Sequence, residues 1–400
     1  MKIREISVRS VEDAEKLMRK IGVDEIGVRV MSPKTSHKYV YMKDMTLTQC
    51  HIIKQVALAN NTDAAVHKQV VTGRIEKSDI LLFGTVKQLG YIAKSLSHQQ
   101  FKLKEVANEI ERIIKVRKNR IWKFRGRKID LTKKTAIMGI LNVTPDSFSD
   151  GGKWTNIDNA LRHCETMVNE GADIIDVGGE STRPGARKVG LAEELGRVIP
   201  VIEKIKQNFD IPVSIDTYKS KVAEEAAKAG AEIVNDISGL NFDSNMPDII
   251  ARNKMGCCIM HILGTPENMQ KNPYYEDVID EINDYFNVSM MKAKEKGVDT
   301  DAIVIDPGIG FGKRVIDNLM ILNRLNEFDI HGVPVLVGLS RKSFIGKVLN
   351  LEVNERLFST VGAQIVAYMR GADILRVHDV KAAYDSIRIA EAITNEADVE

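Results

Sequence analysis

The chain has 400 residues, 44% of them apolar and 28% charged. That composition excludes a wholly disordered, collagen-like or membrane-spanning protein, and no apolar run reaches the roughly 18 residues of a transmembrane helix. The net charge of +2 hides an asymmetry: residues 1–130 carry 27 basic and 14 acidic residues, against 30 and 41 in residues 131–400. Such a contrast predicts two domains, set here at 1–120 and 121–400. The opening MKIREISVRSVEDAEK has no apolar core and reads as no secretory signal. Cys50, Cys164, Cys257 and Cys258 form no CxxC pair, which excludes a disulfide framework or zinc site and suits a cytoplasmic home.

Residues 1–120 read as a small, basic α/β module. VEDAEKLMRKIG (11–22) is amphipathic, GVRVM (27–31) and YVYMK (39–43) read as strands, and LTQCHIIKQVALANN (47–61) as a helix. Residues 69–96 read as strand, strand, helix, and 102–118 as a helix. No chemistry is legible there. The stretch KVRKNRIWKFRGRK (115–128) mixes cations with Trp122 and Phe124. That mixture is a recipe for binding single-stranded nucleic acid. The favoured reading is a linker and a leading hairpin that lies on an acidic barrel, its aromatics covering the N-terminal face.

From residue 136 short Val- and Ile-rich runs alternate with amphipathic stretches. The runs are AIMGILNV (136–143), DIIDVGG (173–179), PVSIDT (212–217), EIVNDIS (232–238), CCIMHI (257–262), AIVIDPG (302–308), PVLVGLS (334–340) and DILRVHD (373–379). Continuous hydrophobicity marks strands buried on both faces. Eight strand–helix units predict a closed (β/α)8 barrel, the TIM-barrel architecture, with ligands at the C-terminal strand ends. An open doubly wound sheet is the alternative, but its glycine fingerprint is missing after the first strand.

Polar residues interrupt every run at that end. Asp216, Asn235, Asp306 and Lys342 suit a flat heterocycle with amidine-like N–H groups and a carbonyl. Asn142, Arg183, Arg376 and His378 form a second group, in which the arginines and His suit phosphate oxygens and Asn142 with an Asp suits Mg²⁺. Asp379 reads equally as a helix cap, Asp236 as a structural acceptor, and His261 as a packed strand-end residue. DPGIGFGKR (306–314) fails the P-loop pattern, so its glycines are expected to shape a tight loop. The loops TPDSFSDGGKWTN (144–156) and ESTRPGARKVG (180–190) read as lids.

Taken together, MGILNVTPDSFSDGG (138–152), ADIIDVGGESTRPGA (172–186), PVSIDTYK (212–219), IVNDISG (233–239), MHILGTPENMQ (260–270), DPGIGFGK (306–313), GLSRKSFIG (338–346) and ADILRVHDV (372–380) resemble dihydropteroate synthase. The resemblance covers all eight strands. It implies a transferase of folate biosynthesis that joins 6-hydroxymethyl-7,8-dihydropterin diphosphate to p-aminobenzoate and releases pyrophosphate, with Mg²⁺ present. It implies pterin contacts from Asp216, Asn235, Asp306 and Lys342, and pyrophosphate contacts from Asn142, Arg376 and His378, with Asn142 also on the metal. It implies an acceptor pocket of Phe148, Pro184, Phe311 and Ser343, loop roles for Asp150, Thr182 and Arg183, sulfonamide competition, and a homodimer. The motifs leave open whether the acceptor is p-aminobenzoate or a modified aminobenzene. Two rival readings remain: a pterin-binding module without turnover, and nucleic-acid binding by the basic first domain.

Overall fold

The computed structural model describes residues 1–8, 10–144, 153–181 and 188–396. It divides into two compact units, Met1–Val116 and Arg117–Glu400.

The first unit begins with α1 (Val11–Ile21), started by the Ser10 side chain accepting from the Asp13 N–H and closed by left-handed Gly22. Next comes α2 (Glu25–Met31), where the Val-rich run predicted a strand. The Asp24 carboxylate accepts from the Gly27 N–H at 2.9 Å, and this N-cap overrides the β-branched residues. The unit continues through β1 (His37–Thr46), α3 (Leu47–Ala59), β2 (Asp63–Val66), β3 (Lys77–Thr85), α4 (Val86–Leu96) and α5 (Leu103–Lys115). Thr46 with Gln49 and Thr85 with Gln88 form capping boxes where strand passes into helix. The first strand predicted within 69–96 is instead a turn region around Gly73, and the sheet's short edge strand is β2. The antiparallel order is β1-β3-β2. Val40, Ile80 and Leu82 on one sheet face join Ile53, Leu89, Ile92 and Ile110 from the helices in one core. This is the two-layer α/β arrangement expected.

The second unit opens with an antiparallel hairpin, β4 (Ile121–Phe124) and β5 (Arg127–Asp130). The barrel follows as β6 (Ala136–Asn142), α6 (Lys153–Asn169), β7 (Ile174–Gly178), α7 (Leu191–Asn208), β8 (Val213–Asp216), α8 (Ser220–Ala229), β9 (Ile233–Asp236), α9 (Met246–Asn253), β10 (Gly256–Met260), α10 (Val278–Glu295), β11 (Ile303–Asp306), α11 (Val315–Asn323), β12 (Leu336–Val337), α12 (Ser343–Leu349), α13 (Leu357–Met369), β13 (Ile374–Val377) and α14 (Val380–Asn395). The strands pair in parallel in the order β11-β10-β9-β8-β7-β6-β13-β12, and a bridge from Ile305 to Val335 brings β12 back to β11. The sheet therefore closes into the predicted (β/α)8 barrel.

The hairpin seals the N-terminal end. Trp122 is fully buried, donates its indole N–H to the Ala302 carbonyl at 2.8 Å, and meets Phe124 edge-on at 5.2 Å. Both pack with Met138, Ile174, Ile233, Cys258, Val304, Leu336 and Ile374, one from each of seven barrel strands. The basic residues of the same stretch turn to acidic partners: Lys123 to Asp301, Arg120 to Asp373, Lys118 to Asp373 and Asp329, and Arg127 to Glu232 and Asp210. The charge run has a use within the barrel, as the linker-and-hairpin reading anticipated. Among the described residues no helix is long and apolar enough to cross a membrane.

Candidate active site

Parallel pairing places every strand's C-terminus at one end of the barrel, and the polar residues of the sequence converge there. Asp216, Asn235, Asp306, Lys342 and Arg376 line one cleft, with Ile237, Met260, Ile309, Phe311 and the backbones of Gly308 and Gly338 as its walls. The four residues singled out for a heterocycle are thus brought together, with Phe311 beside them.

Arg376 was grouped by sequence with the phosphate contacts, yet it lines this same cleft. Its Nε donates to Asp176 Oδ2 and its Nη2 to Asp216 Oδ2, both at 2.6 Å. Asn235 Nδ2 also donates to Asp176 Oδ2, at 3.2 Å. Asp176 is the residue that sequence reasoning missed. It is fully buried in the middle of β7, and its Oδ1 has no partner in the structure. The signal was present: an Asp inside a strand buried on both faces must meet a counter-charge.

Burial sets the proton affinities. It raises the Asp216 carboxyl to about 7, against the pull of Arg376. It raises Asp306 to about 6, against the Gly308 N–H, Lys342 and Lys313. It lowers the Lys342 ammonium to about 8, with Asp306 opposing, and Lys313 to about 7. The Arg376 guanidinium stays charged beside its two carboxylates, its own proton held more tightly than usual. The groups of the cleft lie close enough in proton affinity to share or exchange charge with a bound ring.

Lys342 is held in place before any ligand arrives. Its Nζ donates to the Ile309 carbonyl at 2.7 Å and lies 4.1 Å from the centre of the Phe311 ring. Asp306 Oδ1 accepts from the Gly308 N–H at 2.7 Å. The loop between them is the tight turn expected of DPGIGFGKR: Gly308, Gly310 and Gly312 all have positive φ. At Gly308 a Cβ would lie 2.0 Å from the His261 carbonyl oxygen, so only glycine fits.

The phosphate candidates lie at the same end of neighbouring strands. Asn142 ends β6, and its Oδ1 and the Asp216 carboxylate both flank Gly178. His378 follows β13; its Nδ1 is 3.2 Å from Ser340 Oγ, which also accepts from the His378 backbone N–H at 3.3 Å. Asp379 does not cap α14, the alternative considered for it: its carboxylate takes the Arg341 guanidinium, with Nε at 2.9 Å. Asp236 is a structural acceptor, satisfied by Ser238 and Leu240. His261 is packed, with its ring 4.7 Å from Tyr285, and burial drives its imidazole well below its usual range. Ser343 is exposed at the start of α12. Phe148, Asp150, Thr182, Arg183 and Pro184 lie outside the described residues.

Among the described residues no group of three or more His, Cys, Asp or Glu is gathered as a metal cage. Asn142, at the end of β6, offers one amide oxygen, a donor of the type Mg²⁺ accepts.

The family model of pterin binding enzymes matches residues 138–378. Dihydropteroate synthase of Escherichia coli K12 is 46% identical over 267 residues, 67% of this chain and 94% of that protein. The structure of Yersinia pestis dihydropteroate synthase with a sulfonamide drug complex superposes with a TM-score of 0.65 at 44% identity, covering 69% of this chain and all of that one. A probable bifunctional folylpolyglutamate synthase/dihydropteroate synthase of Halobacterium salinarum is 36% identical over 400 residues, 99% of this chain and 48% of that protein. The last match runs through the first unit as well, so that unit accompanies a barrel of this kind elsewhere. The chain belongs to the pterin-binding enzymes and, among them, to the dihydropteroate synthases.

Proposed function

We infer that this barrel joins 6-hydroxymethyl-7,8-dihydropterin diphosphate to p-aminobenzoate and releases pyrophosphate. The observation that carries the reading is the cleft itself: two carboxylates, an amide, a lysine and a guanidinium line one space at the C-terminal strand ends.

In this reading Asp216, Asn235 and Asp306 accept from or donate to the pterin's amidine edge, and Lys342 donates to its carbonyl. Asp216 can use Oδ1 for the pterin, since Oδ2 already takes Arg376. Arg376, His378 and Asn142 hold the diphosphate. The bond between the methylene carbon and the diphosphate oxygen breaks, its electron pair leaving with pyrophosphate. The arylamine nitrogen then bonds to that carbon and loses a proton. Charge grows on the leaving group, so a guanidinium and an imidazole aimed at it stabilise the transition state more than the ground state. Asn142 would hold Mg²⁺, which would supply further neutralisation of the leaving group when bound. Positive charge growing on the pterin meets Asp216 and Asp306 as carboxylates. Phe311 and Ser343 contribute to the acceptor pocket.

A homodimer is proposed through α13 and α14. Phe358 is 87% exposed, and Met369, Ile389 and Ile393 are also exposed on these two packed helices. The four free, buried cysteines suit a reducing cytoplasm. Nucleic-acid binding is not favoured, because the basic stretch spends its charge on acidic partners of the barrel. The test is pyrophosphate release from the dihydropterin diphosphate, dependent on p-aminobenzoate and blocked by a sulfonamide.

A further inference from the structure

The reaction as described makes no use of Lys313, yet the residue is built into the site. Its side chain is buried, at 4% exposure. Its Nζ lies 2.8 Å from His261 Nδ1 and donates to the Phe311 carbonyl at 3.0 Å, with the His261 carbonyl at 3.5 Å. His261 is itself immobilised. Its backbone N–H donates to the Asp306 carbonyl at 2.9 Å, and its ring packs against Tyr285 and Tyr275. Lys313 therefore ties the loop after β11 to the end of β10.

The rest of that loop is pinned in the same manner. The Gly310 N–H donates to Asn318 Oδ1 at 2.7 Å, and its carbonyl accepts from Gln270 Nε2 at 2.7 Å. The Gly312 carbonyl accepts from the Tyr275 hydroxyl at 2.8 Å. Phe311 is the loop residue whose ring faces the cleft, and its carbonyl is tied by Lys313. The same ring lies under the Lys342 ammonium, and Lys342 also bonds to the loop's Ile309 carbonyl. A contiguous path thus runs from Lys313 through the Phe311 backbone and ring to Lys342.

We propose that Lys313 is a positioning residue for the transfer reaction: it fixes the Phe311 backbone, so that the Phe311 ring and Lys342 stand in register for the pterin and the arylamine. The proposal rests on the function inferred above. An amine with several donors is needed because two acceptors on different strand ends must be served from one buried point. A methionine keeps the stem and leaves both acceptors unsatisfied.

The experiment compares Lys313→Met, Lys313→Gln and Lys313→Arg with the wild type. Turnover and thermal unfolding are measured on each purified chain. In the Met and Gln variants KM for the dihydropterin diphosphate and for p-aminobenzoate is expected to rise about tenfold, with kcat within about threefold of wild type. The Arg variant, which retains donors, is expected to recover most of the loss. Wild-type KM values in a folded Met or Gln variant, whatever the change in melting temperature, would show a merely structural residue and overturn the proposal. The Gln variant serves if the Met variant does not fold. Absence of turnover in the wild type would count against the inferred function, and equilibrium binding of a pterin would then decide: about tenfold weaker binding to the variants supports the proposal, and equal binding overturns it.

Discussion

Asp306→Asn separates the needs of the site from the needs of the fold. Asp306 is 4% exposed, and burial lifts its carboxyl from 3.8 to about 6. An acid whose folded value is raised binds its proton more tightly in the native state, so the wild type loses stability as pH rises through about 4 to 6. The full rise corresponds to about 3 kcal/mol. The Asn side chain cannot ionise, and its oxygen can still accept from the Gly308 N–H. At pH 4 the wild-type carboxyl is itself protonated, so Lys342 and Lys313 lose no counter-charge there. The stability of Asp306→Asn relative to wild type therefore improves as pH rises from about 4 to 6. Activity moves oppositely, because an amide replaces the acceptor that a pterin donor requires; kcat/KM is expected to fall by about 100-fold or more. Urea unfolding at several pH values and steady-state turnover at pH 7.5 are the two assays. A variant that is uniformly destabilised across pH and retains near-normal turnover would refute the reasoning.

Other expectations follow from the same contacts. Lys342→Met should cut kcat/KM by about 100-fold, while urea unfolding at pH 7 changes by no more than about 1 kcal/mol, because removal of a buried ammonium held down to about 8 offsets the donor lost to the Ile309 carbonyl. Arg376→Met leaves Asp176 and Asp216 buried without their cation and should cost about 3–5 kcal/mol. That loss should shrink on acidification from pH 8 to pH 5, since Asp216, already raised to about 7, takes up its proton; unfolding curves at the two pH values check it. Trp122→Ala should cost about 3–5 kcal/mol by opening a cavity at the N-terminal seal, yet leave kcat of the folded enzyme unchanged, since the site lies at the other end.

The barrel was legible because its strands announce themselves: a parallel strand covered on both faces must be a continuous apolar run, and eight such runs at regular spacing leave few topologies. The cleft was legible for the complementary reason, since Asp216, Asn235, Asp306 and Lys342 break those runs or follow them at one end. Asp176 escaped because it sits inside its run, where attention to strand ends does not reach. Arg376 was found but grouped by charge with the phosphate contacts, and only the closed barrel brings it within 2.6 Å of Asp176 and Asp216. Lys313 was hidden in a glycine-rich stretch judged only against the P-loop pattern; its partner His261 is 52 residues away in sequence. In the first unit GVRVM was read by β-propensity, and the Asp24 cap made it helical. The tie between local pattern and structure is weakest there, in a unit with a small core of its own.

Pyrophosphate release by the purified chain, with the dihydropterin diphosphate and Mg²⁺ and with or without p-aminobenzoate, tests the central claim most directly. Release that requires p-aminobenzoate and is suppressed by a sulfonamide is the predicted result. Tight pterin binding with no release under any of these conditions would contradict it and leave a pterin-binding module in place of a synthase.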